Sequence, residues 1–275
     1  MRKFLLLLPF VLMFAACSQT ELQVMSYNMR QGNSPDGINH WDNRCHATLS
    51  MLREAKPDVF GVQEAHGYQV SYITDSLPCY RSVGVGRDDG FEKGERMSVF
   101  YNSDKFELLD WGTYWLSDTP DEPSKGWDAA YPRTATWTRL KMKKGGREFF
   151  YVNTHLDHIG AQARRNGLIL IVDRIAAMNP DGLPMVLTGD FNTTEDDPCL
   201  DDLDLRMKSA RREAPVTDTG ITYNGFGKEG ELARAIDYIY YSGFDSCDNF
   251  RVLRDSYDGI PYISDHYPIT VTLKF

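Results

Sequence analysis

The chain has 275 residues, a formal net charge of -9, and a charged fraction of 25% beside a hydrophobic fraction of 42%. That balance excludes a disordered or fibrous chain and supplies enough apolar residues for a buried core. An acidic surface is also poorly suited to gripping long nucleic acid, whose phosphate backbone is held mainly by lysine and arginine.

The first stretch, "MRKFLLLLPFVLMFAACSQT", combines Arg2 and Lys3, an apolar run from Phe4 to Phe14, and small residues before Cys17. This is the layout of a secretory signal, and it is short for a membrane span. Cys17 directly after Ala15 and Ala16 resembles a bacterial lipoprotein signal, in which the cysteine is lipidated and becomes the new N-terminus. Phe14 departs from the leucine usual in that pattern, and a plain cleaved signal is the alternative. We expect residues 1–17 to be the signal and 21–275 a single domain. The mature protein is then a monomer in the periplasm or at the cell surface, touching a membrane only through Cys17. Loss of Arg2 and Lys3 takes the net charge to about -11. Export would place Cys45, Cys79, Cys199 and Cys247 where disulfides are permitted, and no CxxC spacing suggests a cysteine zinc site.

Next, "LQVMSYN" reads as a strand from its β-branched and aromatic residues. In "HWDNRCHATLSMLREAKPD", Leu49, Leu52 and Ala55 fit one face of a helix that stops before Pro57. "DVFGVQE" closes this strand, helix, strand unit, and "MSVFYN" is a further strand. The stretch from Trp111 to Arg133 carries Pro120, Pro123 and Pro132 and reads as a loop. Its Tyr114, Trp115, Trp127 and Tyr131 could line a binding rim or simply pack. "RTATWTRLKM" and "EFFYVNTH" read as strands joined by a hairpin turn at "KKGGRE". The helical pattern "GAQARRNGLILIVDRIAAMN" leads into "PMVLTGD", a second strand, helix, strand unit, and "AIDYIYYSG" and "YPITVTLKF" complete the strands. Strands outnumber helices, so two facing mixed sheets with helices outside suit this α/β chain better than one doubly wound sheet.

Several strands end on residues able to hold a metal or a proton: Asn28, Glu64, His155, and the pair Asp190 and Asn192. Alternation along an extended chain puts Asp190 and Asn192 on one side and Phe191 on the other. Asp237 opens a later strand, and "SDHYP" sets Asp265 beside His266 before the last one. A single polar residue after a strand is usually a turn or cap, but α/β folds gather functional groups where strands end. Scattered carboxylates and amides suit a hard, oxygen-seeking divalent cation, and histidines can carry protons near neutral pH. Together they suggest metal-assisted hydrolysis.

The ordered set "SYNMR", "VQE", "NTHLDH", "GDFN", "IDYIY" and "SDHYP" resembles the endonuclease/exonuclease/phosphatase superfamily over nearly the whole mature chain. The resemblance implies a DNase I-like four-layer αββα sandwich that cleaves phosphate esters with Mg²⁺ or Mn²⁺. It makes Glu64 the principal metal ligand, with Asn28 and Asp265 near it. Asp190 and Asn192 would position the attacking water or the phosphate. His266, oriented by Asp237, would be a general base or a phosphate donor, because a carboxylate on one ring nitrogen raises basicity at the other. His155 would contact or protonate the leaving side, with Glu95 in the place that orients this histidine in some relatives; a solvated glutamate at a strand edge is the equal alternative for Glu95. Arg133 would face the phosphate. Arg164 is a second candidate for that role, although an arginine early in a helix is commonly solvated or ion-paired. Tyr223 and Phe226 in "TYNGFG" could form a rim, while Asp157 and His158 read as supporting structure.

"NTHLDH" followed by an arginine looks closest to the deadenylase (nocturnin) branch. An export signal fits an intracellular RNA-tail nuclease badly. The expectation is therefore an exported phosphoesterase acting on a small or exposed phosphodiester or phosphomonoester, such as a nucleotide, a sugar phosphate or a lipid head group. A secreted DNA or RNA nuclease is the alternative, and a lipid-anchored binding protein without catalysis the third.

Overall fold

The computed structural model describes residues 20–228, 230 and 233–275, so the signal and the lipidation expected at Cys17 lie outside the described residues. The chain begins with β1 (Glu21–Asn28), α1 (Trp41–Ala55), β2 (Val59–Gln63), α2 (Gly67–Ser76), β3 (Tyr80–Val83) and β4 (Val99–Asn102). It continues with β5 (Phe106–Trp115), β6 (Thr134–Met142), β7 (Glu148–His155), α3 (Ala161–Met178) and β8 (Met185–Asp190). It closes with α4 (Asp201–Asp204), β9 (Lys208–Ser209), α5 (Ala210–Glu213), β10 (Asp237–Ser242), β11 (Ser246–Val252) and β12 (Ile269–Lys274).

The strands form two six-stranded sheets, ordered β11-β12-β1-β2-β4-β3 and β5-β6-β7-β8-β10-β9. Each holds one parallel pair, β1 with β2 and β7 with β8, and the crossovers run through α1 and α3. Alternation sets the layering. Leu22 and Val24 of β1 join Tyr151, Val186 and Ile239 in the core between the sheets. Met25 and Tyr27, one residue out of phase, pack with Leu49 and Leu52 of α1 and Ile73 of α2. Phe150, Val152 and Leu187 do the same for the second sheet against Leu168 and Ile171 of α3. Three apolar seams thus hold four layers, the αββα sandwich expected. Helix α1 ends as its sequence dictates, with Lys56 left-handed at φ 45° just before Pro57.

Every expected strand and both expected helices form. The segment read as a loop from Trp111 does not begin as one, because β5 runs through Trp115. Tyr114 and Trp115 are buried there, and Trp127 packs against the same seam, so three of the four rim candidates are packing residues. Cys45, Cys79, Cys199 and Cys247 are all unpaired. Among the described residues no helix is long and apolar enough to cross a membrane.

Candidate active site

Both parallel pairs finish at the same end of the sandwich, and the site is assembled there. Asn28 is the last residue of β1, His155 and Asp190 face each other at the ends of β7 and β8, and Asp237 starts β10 opposite Asp190. The segment before β12 is tied to the end of β1 by Ser264 Oγ, which donates to the Asn28 carbonyl at 2.7 Å and so brings in Asp265 and His266. Three non-glycine residues here take left-handed backbone: Arg30 (φ 55°), Glu64 (φ 61°) and Asn192 (φ 52°). Each costs about 1 kcal/mol, a strain that persists only where surrounding bonds hold it.

Asn28 is the centre of the hydrogen-bonding. Its amide NH₂ donates to Glu64 Oε1 at 3.1 Å and to Asp190 Oδ2 at 2.9 Å, while its oxygen accepts the Arg30 N–H at 3.0 Å. Asn28, expected to lie near the metal, is a buried brace between two carboxylates, and its oxygen, accepting one N–H, keeps a second lone pair for an ion. Glu64 also accepts the Gln31 N–H at 3.1 Å. His266 Nδ1 lies 2.8 Å from Asp237 Oδ2, as expected, and its Nε2 lies 3.6 Å from Asp190 Oδ2. Tyr223 meets the His266 ring edge-on at 5.0 Å.

Asn192 reaches the cleft by a different route from alternation. It lies beyond the end of β8, turned by its left-handed backbone, with its N–H on Asp190 Oδ1 at 2.9 Å. Its side-chain amide meets His155 Nε2 at 2.9 Å and donates to the Leu156 carbonyl at 3.0 Å. Phe191 does point away, fully buried and stacked on Tyr238.

Burial and charge separate the protonation states. Burial alone would push the His266 imidazole down, but the Asp237 and Asp190 carboxylates outweigh it and raise it to about 10. Asp190 is raised to about 7 by burial, with the His266 charge opposing and Asp237 adding to the rise. His155 goes the other way, held well below its ordinary value by burial and then by Arg133 and Arg87. Asp265 is raised by burial, whereas in Glu64 the same penalty is outweighed by His266, Asn28 and Arg30. At neutral pH one histidine is therefore a cation and the other neutral.

A cleft of about 610 Å³ opens over these groups, lined by Glu64, His155, Asp190, Asn192, Asp265 and His266, and by Glu95, Arg133 and Tyr223. Asp237 sits behind His266. Glu95 does not orient His155: its carboxylate is bound by Arg87 Nη1 at 2.6 Å, and His155 Nδ1 has no hydrogen-bond partner among the described residues. Arg164 does not line the cleft; Nη1 donates to the Asp157 carbonyl at 3.1 Å and Nη2 lies 3.9 Å from Asp197. Arg133 is buried with Nε on Asp157 Oδ2 at 3.2 Å and Nη2 3.1 Å from His158 Nδ1. Asp157 is support, as expected, but His158 lines the cleft. Tyr131 is the one rim aromatic of the four that does so, stacked on His158 at 5.8 Å and under Arg87 at 5.4 Å.

Sequence reading missed Arg30, His66, Arg87 and Arg234 as lining residues. Arg30 belongs to "SYNMR", where nothing in the sequence gives it a role; the other three sit in connections that carry no periodic signal.

The donor set fits a hard divalent cation. Ligand atoms of Glu64, His155 and Asp190 lie within 4.8 Å of one another, as do those of Asp190, Asp237 and His266. The second group is engaged internally by the His266 to Asp237 bond. Asp237 also does not line the cleft, whereas Glu64, His155, Asp190 and the nearby Asp265 all do, and these four form the open set, rich in carboxylate oxygen.

Crowded acids able to hold such a cation, a carboxylate-backed imidazolium and arginines in one cleft belong to the chemistry of phosphate ester cleavage, and on this two-sheet frame they define a metal-dependent phosphoric ester hydrolase. Residues 25–266 match the Endonuclease/Exonuclease/phosphatase family, and the chain belongs to it. It is similar to a solved family protein from Bacteroides thetaiotaomicron, at 35% identity and TM-score 0.87, covering 94% of this chain and 98% of that one. A mannosyl-6-phosphatase from the same organism is 35% identical with TM-score 0.87, covering 92% of this chain and 100% of that one. Nocturnin from Drosophila melanogaster is 22% identical over 90% of this chain, which spans 44% of the fly protein's length.

Proposed function

We propose that this chain is an exported phosphatase that uses Mg²⁺ or Mn²⁺ to release phosphate from a small ester, with a sugar phosphate as the best-supported substrate class. The observation that carries this reading is the concentration of Arg30, Arg87, Arg133 and Arg234 in one cleft of a chain whose net charge is -9. Cationic groups confined to a pocket suit a compact phosphate, whereas a polymer backbone needs them spread along a surface. The mannosyl-6-phosphatase relative favours a sugar as the leaving group.

Glu64 and Asp265 would hold the ion, with Asp190 and His155 facing it from the second sheet. When bound it polarises phosphoryl oxygens and acidifies water. Asp190, with its raised proton affinity and with Asn192 fixed to it, suits taking the proton of the attacking water. His266 is protonated at neutral pH through Asp237, so of the two roles open to it the donor to a phosphate oxygen fits better than the base. Arg133, held by Asp157, would face the same oxygens, and neutral His155 the leaving side.

The test is phosphate release from hexose 6-phosphates, nucleotides, a phosphorylated lipid head group and a short oligonucleotide, each with Mn²⁺. The sugar phosphates should turn over fastest. Cleavage of the oligonucleotide without release from any sugar phosphate would replace this reading with the nuclease. Export and lipidation are tested by palmitate labelling, which Cys17→Ser should abolish; labelling that persists would refute the anchor.

A further inference from the structure

Building on the metal-dependent reading above, we propose that Arg30 is a built-in counter-cation of the metal site, weakening ion binding until a phosphate group arrives and so coupling the two ligands. Its guanidinium fork is anchored on Asp36, with Nε 3.0 Å from Oδ2 and Nη2 3.1 Å from Oδ1. That leaves Nη1 aimed at two carboxylates of the open set, 3.9 Å from Glu64 Oε2 and 3.7 Å from Asp265 Oδ2. Both separations exceed hydrogen-bond length, so the charge acts on these acids through its field. The side chain is 29% exposed, which shields that charge only partly.

The placement is held at every point. Arg30 has φ 55°, a conformation that costs free energy for any residue with a Cβ. Its N–H is fixed on Asn28 Oδ1, and its carbonyl accepts from Arg44 Nη2 at 3.0 Å and Gln69 Nε2 at 3.1 Å. Arg44 is buried and donates to the carbonyls of Met29, Asn39 and Ile263; these neutral acceptors leave its charge in place and Asp265 feels it, but Arg44 does not line the cleft, so Arg30 is the cation that a bound ion and a phosphate meet directly. Arg30 does face the cleft. Strain maintained by this many bonds, with one nitrogen left over between two acids, marks a positioned charge rather than a surface arginine that happens to be near.

A divalent ion on Glu64 and Asp265 shares its carboxylates with this guanidinium. Even with water-like screening, a doubly charged ion about 5 Å from a single charge loses on the order of tenfold in affinity. A phosphate whose oxygens meet both cations removes the repulsion. Phosphate then tightens ion binding, and by linkage the ion tightens phosphate binding by the same factor.

The experiment is Mn²⁺ binding followed by electron paramagnetic resonance of the free ion, with and without inorganic phosphate below its precipitation limit. Wild type, Arg30→Gln and Arg30→Lys are compared, with melting curves to show that each is folded. Without phosphate, Arg30→Gln should bind Mn²⁺ about tenfold more tightly than wild type, while Arg30→Lys, which keeps the charge, stays near it. The wild type supplies a check that needs no variant, since phosphate should tighten its Mn²⁺ binding about tenfold. Unchanged or weaker binding by Arg30→Gln, or no effect of phosphate on the wild type, overturns the inference and leaves the metal site intact. Absence of Mn²⁺ binding by the wild type would instead remove the metal reading and this inference with it.

Discussion

Asn192 meets two demands that different substitutions can separate. Its left-handed backbone is a conformational requirement, and its side-chain amide spans His155 and the Leu156 carbonyl. Asn192→Gly keeps the backbone accessible and deletes the amide, so turnover should fall about a hundredfold while the melting temperature moves little. Equal loss of activity and stability would mean that the residue serves only the turn. Asp237 makes a complementary case. Against the opposing effect of burial, it and Asp190 together raise His266 to about 10, so an imidazolium needed for catalysis persists through neutral pH and is lost as pH climbs through that value. Asp237→Asn should move the alkaline limb of kcat/KM to lower pH, because the partner that favours the proton is weakened. An unshifted limb would exclude His266 as the group titrating there. The same shift has a stability sign: a histidine raised on folding stabilises fully below its unfolded value of about 6.5 and loses that contribution as pH rises towards 10.

Strands and helices differ in how plainly they announce themselves, and the difference is position in the sheet. The eight strands legible in the sequence are the interior ones, β12, β1, β2 and β4 in one sheet and β6, β7, β8 and β10 in the other. Interior strands are covered on both faces and read as apolar runs. The four that escaped, β11, β3, β5 and β9, are the edges. In β5 the middle is exposed and the register shifts between Leu108 and Asp110, and β11 has a similar break between Asp248 and Arg251. Edge strands tolerate charge and bulges, which erases the pattern that would reveal them. The site follows the same rule. Asn28, His155, Asp190 and Asp237 bound interior strands and Glu64 directly follows one, so they were legible, whereas Arg87 and Arg234 arrive on connections whose course only the folded chain settles. Arg164 misled because its place in sequence, early in α3, says nothing about which way the first turn faces. Helix α1 carries the element-level test through Arg44, whose guanidinium satisfies carbonyls of Met29, Arg30, Asn39 and Ile263. Arg44→Met would leave those acceptors stranded at a cost of about 3 kcal/mol or more. Urea unfolding should register that loss, and a change below about 0.5 kcal/mol would show that the carbonyls find other partners.

On the scale of the whole molecule, two sheets with the same plan, each built round one parallel pair and one crossover helix, deliver their strand ends to a shared edge. Neither sheet holds a complete site. The first supplies Asn28, Glu64, Asp265 and His266 from its strand ends and flanking turns; the second supplies His155, Asp190 and Asp237. A buried polar seam keeps them in register across the interface, with Gln63 Nε2 donating to Asn153 Oδ1 at 2.6 Å and Thr188 Oγ1 donating to the same oxygen at 3.1 Å. Gly61 is required beside it, because a Cβ there would lie 2.3 Å from that Asn153 oxygen. The central claim is that this shared edge cleaves phosphate esters with a divalent cation on Glu64 and its neighbours. Its most direct measurement is hydrolysis of a phosphate ester by the wild type before EDTA, after EDTA and after Mn²⁺ is restored, beside Glu64→Gln under the same conditions. Activity should vanish with EDTA, return with Mn²⁺, and fall on the order of a thousandfold in the variant. Hydrolysis that survives EDTA, or a Glu64→Gln protein as active as the wild type, would contradict it.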